Sequence, residues 1–236
     1  LTTSFQGSTL DPNLHLDVPN PSAATATLDT VNHNLVLSGT ANLWDTRGDS
    51  PFAWTDVPTE VGVGGTWRAE TEVQYNNPAT DLRIAGITTY SGPDGTGGAN
   101  SGQQFTFGLD QWDTPNGPWV QGLVNNHPGN SANLTSALAS DTVDLRMDVL
   151  VGDSNNNTYN FYYKLPTDGT WTTLGTIQDV NSDSRVALFY KGNNESASFN
   201  YFNVYAVTDA PEPGTLALIA AGTAGLLWVR RGSRRV

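Results

Sequence analysis

From Asn34 to Val207 the apolar residues recur at every second position. That spacing lets an extended chain bury one face, whereas a helix would need a repeat near 3.6. In the stretch Trp67–Tyr75, Trp67, Ala69, Val73 and Tyr75 share one face with Thr71, and Arg68, Glu70, Glu72 and Gln74 share the other. From Thr142 to Val151 the odd positions Val143, Leu145, Met147, Val149 and Val151 alternate with Thr142, Asp144, Arg146 and Asp148. Tyr159, Phe161, Tyr163 and Leu165 alternate in the same way with Asn160, Tyr162 and Lys164. Further strands are predicted at Leu35–Ser38, Leu82–Tyr90, Gln103–Leu109, Trp119–Val124, Ser184–Lys191 and Ser198–Val207. The segments Gly152–Asn157 and Thr167–Gly169 carry the Gly, Asp and Asn of tight turns and read as hairpin connections. Asn133–Ser140 is expected to form a short helix, and no helix of ten or more residues is expected before the C-terminal tail. So many strands in about 200 residues, with no internal repeat, point to one antiparallel sandwich.

Composition agrees with an exported β-protein. Of the 236 residues only 14% are charged, against a usual quarter or so. The net charge of −12 is unevenly spread: four arginines and one acid give Ala210–Val236 a charge of +3, leaving −15 on Leu1–Asp209. A body so acidic repels nucleic acid and anionic lipid, and its charge serves solubility. No cysteine is present, so disulfide and thiolate chemistry are excluded.

The tail has three parts with separate physical roles. Pro211-Glu212-Pro213 sustains neither helix nor ladder and keeps the approach extended. Thr215–Val229 is an uncharged run rich in Leu and Ala; as a helix its fifteen residues reach about 22 Å, short of a hydrocarbon core of roughly 30 Å. Arg230, Arg231, Arg234 and Arg235 follow; they can snorkel and should remain cytoplasmic. The chain is thus expected to comprise a β-sandwich over 1–207, a Pro-rich linker over 208–213, a short hydrophobic helix over 214–229 and a basic tail over 230–236. A signal peptide is expected to have preceded Leu1.

This order of parts resembles the PEP-CTERM sorting signal of Gram-negative, biofilm-forming bacteria, with Pro211, Glu212, Pro213, Arg230 and Arg231 as its marks. The resemblance implies an exosortase-type processing enzyme as partner, transient anchoring in the inner membrane, and delivery to the cell surface or extracellular matrix. The run is too short for a comfortable permanent span, so it reads as a processing address, with the mature chain ending near Pro211 to Gly214.

The body carries a second resemblance. Phe5-Gln-Gly-Ser-Thr-Leu-Asp11-Pro resembles the opening of concanavalin A-like sandwich domains, with Leu14 where a tryptophan often stands. Gly65–Val73 resembles their early core strand. Phe161-Tyr-Tyr-Lys followed by Asp168-Gly-Thr-Trp171-Thr-Thr-Leu-Gly resembles a strand and hairpin turn of that family. Ser184–Gly192 and Ala197–Tyr205 resemble its last two strands. The likeness is to non-catalytic modules related to laminin-G domains and to the C-terminal sandwiches of β-xylosidases. It implies an all-β, antiparallel concanavalin A-like jelly roll, here followed by one short C-terminal hydrophobic helix.

Chemistry is sparse. Hydrolases of this fold cleave β-glucans with carboxylates on one strand face, in a Glu-x-Asp-x-x-Glu pattern. Glu70 and Glu72 share a face, but the third position is Tyr75, so a solvated polar face is the simpler reading. Asp144 and Asp148 are separated by roughly 13 Å of strand, too far for a retaining pair and long for an inverting one. His15, His33 and His127 lack metal-ligand spacing, and no Gly-x-Ser-x-Gly elbow is present. No cofactor is required; calcium is the one metal whose oxygen ligands the loops offer, at Asp94, Asp153, Asn155 and Asp183, which equally suit turn capping. Trp67 faces inward. Trp44, Trp54, Trp112, Trp119 and Trp171 fall in or beside loops, where indoles pack locally or stack on sugar rings. These observations favour an exported, surface-displayed, non-enzymatic protein that binds or organises extracellular polysaccharide. The alternatives are a structural matrix protein without a small ligand and an atypical glycoside hydrolase.

Overall fold

The computed structural model describes residues 1–41, 50–75, 83–90, 104–111, 118–125, 133–180 and 184–207. The chain divides into two compact units, Leu1–Ala206 and Val207–Val236. The account below concerns the first; the expected C-terminal helix lies outside the described residues.

The unit is built from strands β1 (Thr2–Thr3), β2 (His15–Asp17), β3 (Ala24–Asp29), β4 (Asn34–Ala41), β5 (Phe52–Asp56), β6 (Thr66–Tyr75), β7 (Arg83–Tyr90), β8 (Gln104–Gln111), β9 (Trp119–Asn125), β10 (Asn133–Ala137), β11 (Thr142–Leu150), β12 (Asn156–Lys164), β13 (Thr172–Val180) and β14 (Arg185–Val207). They form two antiparallel layers. Sheet A runs β3-β4-β14-β6-β11-β12-β13, with β1 also beside β14. Sheet B runs β2-β5-β14-β7-β8-β9-β10. The result is an all-β antiparallel jelly-roll sandwich.

One strand belongs to both layers. The first part of β14, Arg185–Lys191, pairs with β5 and β7, and the part from Gly192 onward pairs with β4. The crossing is marked by a register shift between Gly192 and Glu195 and by Asn194 at φ 59°. Gly192 is required there, because a Cβ would run into the Tyr190 hydroxyl. Sequence periodicity treats this segment as two strands; the structure joins them because the polar Gly-Asn-Asn-Glu stretch bends without breaking the ladder.

The inward faces meet in one core. Trp67, Ala69, Val73, Val143, Leu145, Met147 and Val149 from sheet A are all buried, as are Phe107, Leu109, Val120, Val186 and Leu188 from sheet B. The rings of Phe107 and Phe161 meet across the layers at 5.0 Å between centroids. Each fully buried large apolar side chain contributes about 1.5–3 kcal/mol. Two of the inward polar groups bond to backbone: Tyr75 donates to the Leu109 carbonyl at 2.5 Å and Thr71 Oγ1 to that of Tyr201 at 2.6 Å.

Two local expectations are corrected. Asn133–Ala137 is strand β10, not the start of a helix; it pairs with β9 residue for residue from Asn133↔Leu123 to Ala137↔Trp119. Half-buried Leu134 and Ser136 alternate with exposed Thr135 and Ala137, and this short alternation is decided by the neighbouring strand rather than by helix propensity. Trp54 lies inside strand β5, not in a loop.

Candidate functional site

The outward faces of the two sheets differ in kind. On sheet A, β6 and β11 set Arg68 opposite Asp148, Glu70 opposite Arg146 and Glu72 opposite Asp144, and β12 sets Lys164 opposite Asp144. Asp148 accepts from Arg68 Nε and Nη2 at 2.6 and 2.9 Å, and from Arg146 Nε and Nη2 at 3.0 and 2.5 Å. Lys164 Nζ lies 3.0 Å from Asp144, which also accepts from the Tyr201 hydroxyl at 2.9 Å. Glu70 accepts from the Tyr205 hydroxyl at 3.2 Å, and Glu72 from Asn200 Nδ2.

The expected solvated face is therefore a half-buried ion-pair network. Opposite charges meet across strands at Arg68 and Asp148, at Glu70 and Arg146 and at Lys164 and Asp144, while Glu72 and Asp144 set two acids together. Burial raises the Glu70 and Glu72 carboxyls above their ordinary range, the charge of Asp144 adding to the effect at Glu72. Burial beside Asp144 likewise pushes the Tyr201 phenol upward.

Sheet B presents a different surface. Alternation sends Arg185, Ala187, Phe189 and Lys191 of β14 outward, since Val186, Leu188 and Tyr190 belong to the core. Register then places Trp54, Ala187, Thr88 and Thr106 in one row across β5, β14, β7 and β8. The next row is Phe52, Phe189, Gly86, Gly108 and Gln121. Phe52, Ile84, Tyr90, Ala187 and Phe189 form a second apolar cluster with Trp54 against it. Thr88, Thr106, Asp110, Gln121 and Lys191 are buried polar members of the same face.

Two details distinguish this face, most of whose side chains are buried. Gly86 and Gly108 are cross-strand partners and put no side chain on it; a Cβ on Gly86 would strike the Phe107 carbonyl, and one on Gly108 would lie 2.7 Å from that of Ala85. In the adjoining row, Thr88 and Thr106 stand opposite each other, and both hydroxyls are fully buried without a hydrogen-bond partner among the described residues. Buried polar groups are nearly always satisfied, by protein or by ordered water, so this pair stands out among the described residues.

Of the tryptophans expected to form a platform, the described Trp54, Trp119 and Trp171 do not converge. Trp54 and Trp119 both belong to the outer face of sheet B but stand on β5 and β9, strands that lie four steps or roughly 19 Å apart. Trp171, just before β13, meets the outer face of sheet A, with Arg146 and Lys164 5.9 and 5.1 Å from its ring centre. Trp54 is held between His15, stacked at 4.4 Å, and the Arg185 guanidinium at 3.7 Å, supplied by the strands on either side of β5. Its faces are thus occupied by the protein itself. Trp44 and Trp112 lie outside the described residues, as do Asp94 and Asp183. Asp153 and Asn155 are exposed in the short 3-10 turn between β11 and β12. Thr88, Thr106 and Arg185 carry no sequence motif; only alternation in β7 and β8 hinted that threonines there face one side.

Residues 209–231 match the family model described as the PEP-CTERM protein-sorting motif. The chain carries a PEP-CTERM sorting signal. It is therefore an exported protein sorted to the cell surface, with Pro211, Glu212, Pro213, Arg230 and Arg231 inside the matched stretch. The body resembles several solved structures. One is the GH43 BlXynB protein of Bacillus licheniformis, with a TM-score of 0.62 and 15% identity, covering 87% of this chain and 39% of that one. A xylan β-1,4-xylosidase of Bacillus halodurans C-125 gives a TM-score of 0.63 at 17% identity, covering 86% and 38%. The Emp47p carbohydrate recognition domain gives 0.54 at 10%, covering 88% and 95%. At such identities the likeness is one of fold, and the fold is concanavalin A-like. The chain spans 39% of the length of the first of these. Comparison with curated proteins finds no match.

Proposed function

We propose that the sandwich binds extracellular polysaccharide without cleaving it, and that the sorting signal brings this activity to the cell surface. The observation that carries the reading is the concanavalin A-like sandwich itself, a fold it shares with a carbohydrate recognition domain and with a xylan β-1,4-xylosidase. A non-catalytic role is supported by the engagement of Glu70, Glu72, Asp144 and Asp148 in ion pairs and hydrogen bonds on sheet A.

The sorting motif implies processing by an exosortase. We take the apolar run after Pro213 as a transient inner-membrane anchor removed by a cut between Pro211 and Gly214; mass spectrometry of the native C-terminus tests this. Binding is tested by affinity electrophoresis of the full chain in mild detergent against neutral and acidic polysaccharides. The chain should be retarded by at least one of them; migration unchanged by every one overturns the binding reading, and release of reducing sugar that vanishes in Glu72→Gln overturns the non-catalytic one.

A further inference from the structure

Sheet A ends on one side in β13, which is bonded to β12 and has no further neighbour among the described strands. An edge strand turns half of its backbone N–H and C=O groups away from the sheet. The other outlying strands are brief: β1 has two residues, β2 three, β10 five and β3 six. β3 is also tied down at both ends, where the Ala24 N–H donates to the Asn20 carbonyl and Asp29 accepts from the N–H groups of Val31 and Asn32. β13 runs for nine residues.

Sheet edges are usually blunted by brevity, by lysine or by proline. The sequence of β13, Thr-Thr-Leu-Gly-Thr-Ile-Gln-Asp-Val, contains neither lysine nor proline. Its register shift lies between Phe161 and Tyr162 of the neighbouring strand and leaves Gly175–Val180 in an unbroken ladder with Asn156–Phe161. Thr172, Thr173, Thr176 and Gln178 are exposed. Among the described residues no backbone hydrogen bond reaches this strand from its outer side.

What matches such a row of donors and acceptors is another extended strand. A second copy of β13, brought up by a two-fold axis, supplies it. Residues directly opposite in an antiparallel pair share a face, so the axis must pass through a residue. With the axis at Ile177, this buried side chain meets its own copy and the two cores become continuous. Thr176 then stands opposite Gln178 of the second copy, and Gly175 opposite Asp179. The strand's only ionisable residue is thus set against glycine and not against another acid. An axis at Gln178 would instead set Asp179 against Ile177. We infer that the chain self-associates through β13, two copies of sheet A joining into one antiparallel sheet. A six-residue ladder is only about 20 Å long, which gives a contact well under the roughly 800 Å² per partner of a stable complex. The −15 charge on each body opposes the contact further, and salt screens that repulsion. The pairing is therefore concentration-dependent and strengthened by salt, and sorting to the cell surface supplies the local concentration.

The chain has no cysteine, so an engineered one reports alone. Full-length Thr176→Cys and Gln178→Cys chains are purified separately in mild detergent and mixed under oxidising conditions. Directly opposite residues have Cα atoms about 4.5–5.5 Å apart, within reach of a disulfide, whereas diagonal ones lie about 7–8 Å apart. The mixture should form linked dimers several-fold faster than either chain alone, and faster in high salt than in low. Thr25→Cys, exposed on β3, is the control for random collision. A mixture no faster than the separate chains or than that control overturns the inference. Sedimentation of the parent chain should show a dimer growing with concentration, and a monomer throughout overturns it equally. Thr176→Lys/Gln178→Lys brings lysine opposite lysine while lowering the net charge of each body, so it should abolish the dimer. Association that persists in this variant refutes the assignment to β13.

Discussion

Replacing Thr88 or Thr106 by valine should make the ligand-free protein more stable. Both side chains are fully buried, and neither hydroxyl has a partner among the described residues. A buried hydroxyl without a hydrogen bond costs about 1–3 kcal/mol. Valine keeps the β-branched shape and fits a strand at least as well, so the substitution removes the cost without opening a cavity. We expect a gain of about 1 kcal/mol per site, raising the melting temperature by about 2–4 °C in a domain of this size. The two positions are cross-strand partners, so the double variant should depart from the sum of the single ones. Urea unfolding with an unchanged m-value, read beside the calorimetric midpoint, measures the effect. Destabilisation by 1 kcal/mol or more in either single variant would show that its hydroxyl is satisfied in the free protein.

On the other sheet, Asp148→Asn should cost about 2–4 kcal/mol in urea unfolding, since it strips the charge from an acceptor of four arginine hydrogen bonds in a half-buried setting; a loss below 0.5 kcal/mol would mean that water serves the two guanidinium groups equally well. The raised carboxyls of Glu70 and Glu72 hold protons more tightly folded than unfolded, so their contribution to stability falls as pH rises from the ordinary value of 4.5 through the raised ones. Glu72→Gln, which retains an oxygen for Asn200, should flatten that decline, and an unaltered pH profile counts against burial as its cause. Asp153→Ala should leave the melting temperature unchanged with or without added calcium, because the Asp153–Asn155 turn is exposed; a calcium-dependent difference of several degrees would locate an ion there.

The strands were legible because a half-buried strand must alternate. Thr66–Tyr75 and Thr142–Leu150 fall within a residue of their expected limits, and the hairpin turns at Gly152–Asn157 and Thr167–Gly169 join antiparallel neighbours as expected. Short strands were not legible. Phe52–Asp56 has only five residues, and Asn133–Ala137 reads equally well as a helical turn; each is a strand because a neighbour offers an unpaired edge. The tryptophans were conspicuous by size and misleading by placement. Trp54 and Trp171 are consumed in stacking with Arg185 and with Arg146 and Lys164.

The amino-acid order alone determines that this chain is a β-sandwich with an acidic body and a sorting tail, because side-chain period, charge and the order Pro-Glu-Pro, apolar run, arginines are local properties. Which polar groups end up buried without a partner is a different matter. Thr88, Thr106, Gly86, Gly108 and Arg185 are ordinary residues separated by up to a hundred positions, and they become neighbours only when β7, β8 and β14 pair in one register. Whether a polar group has a partner depends on what the rest of the chain places within 3.5 Å of it, and only the tertiary structure decides that.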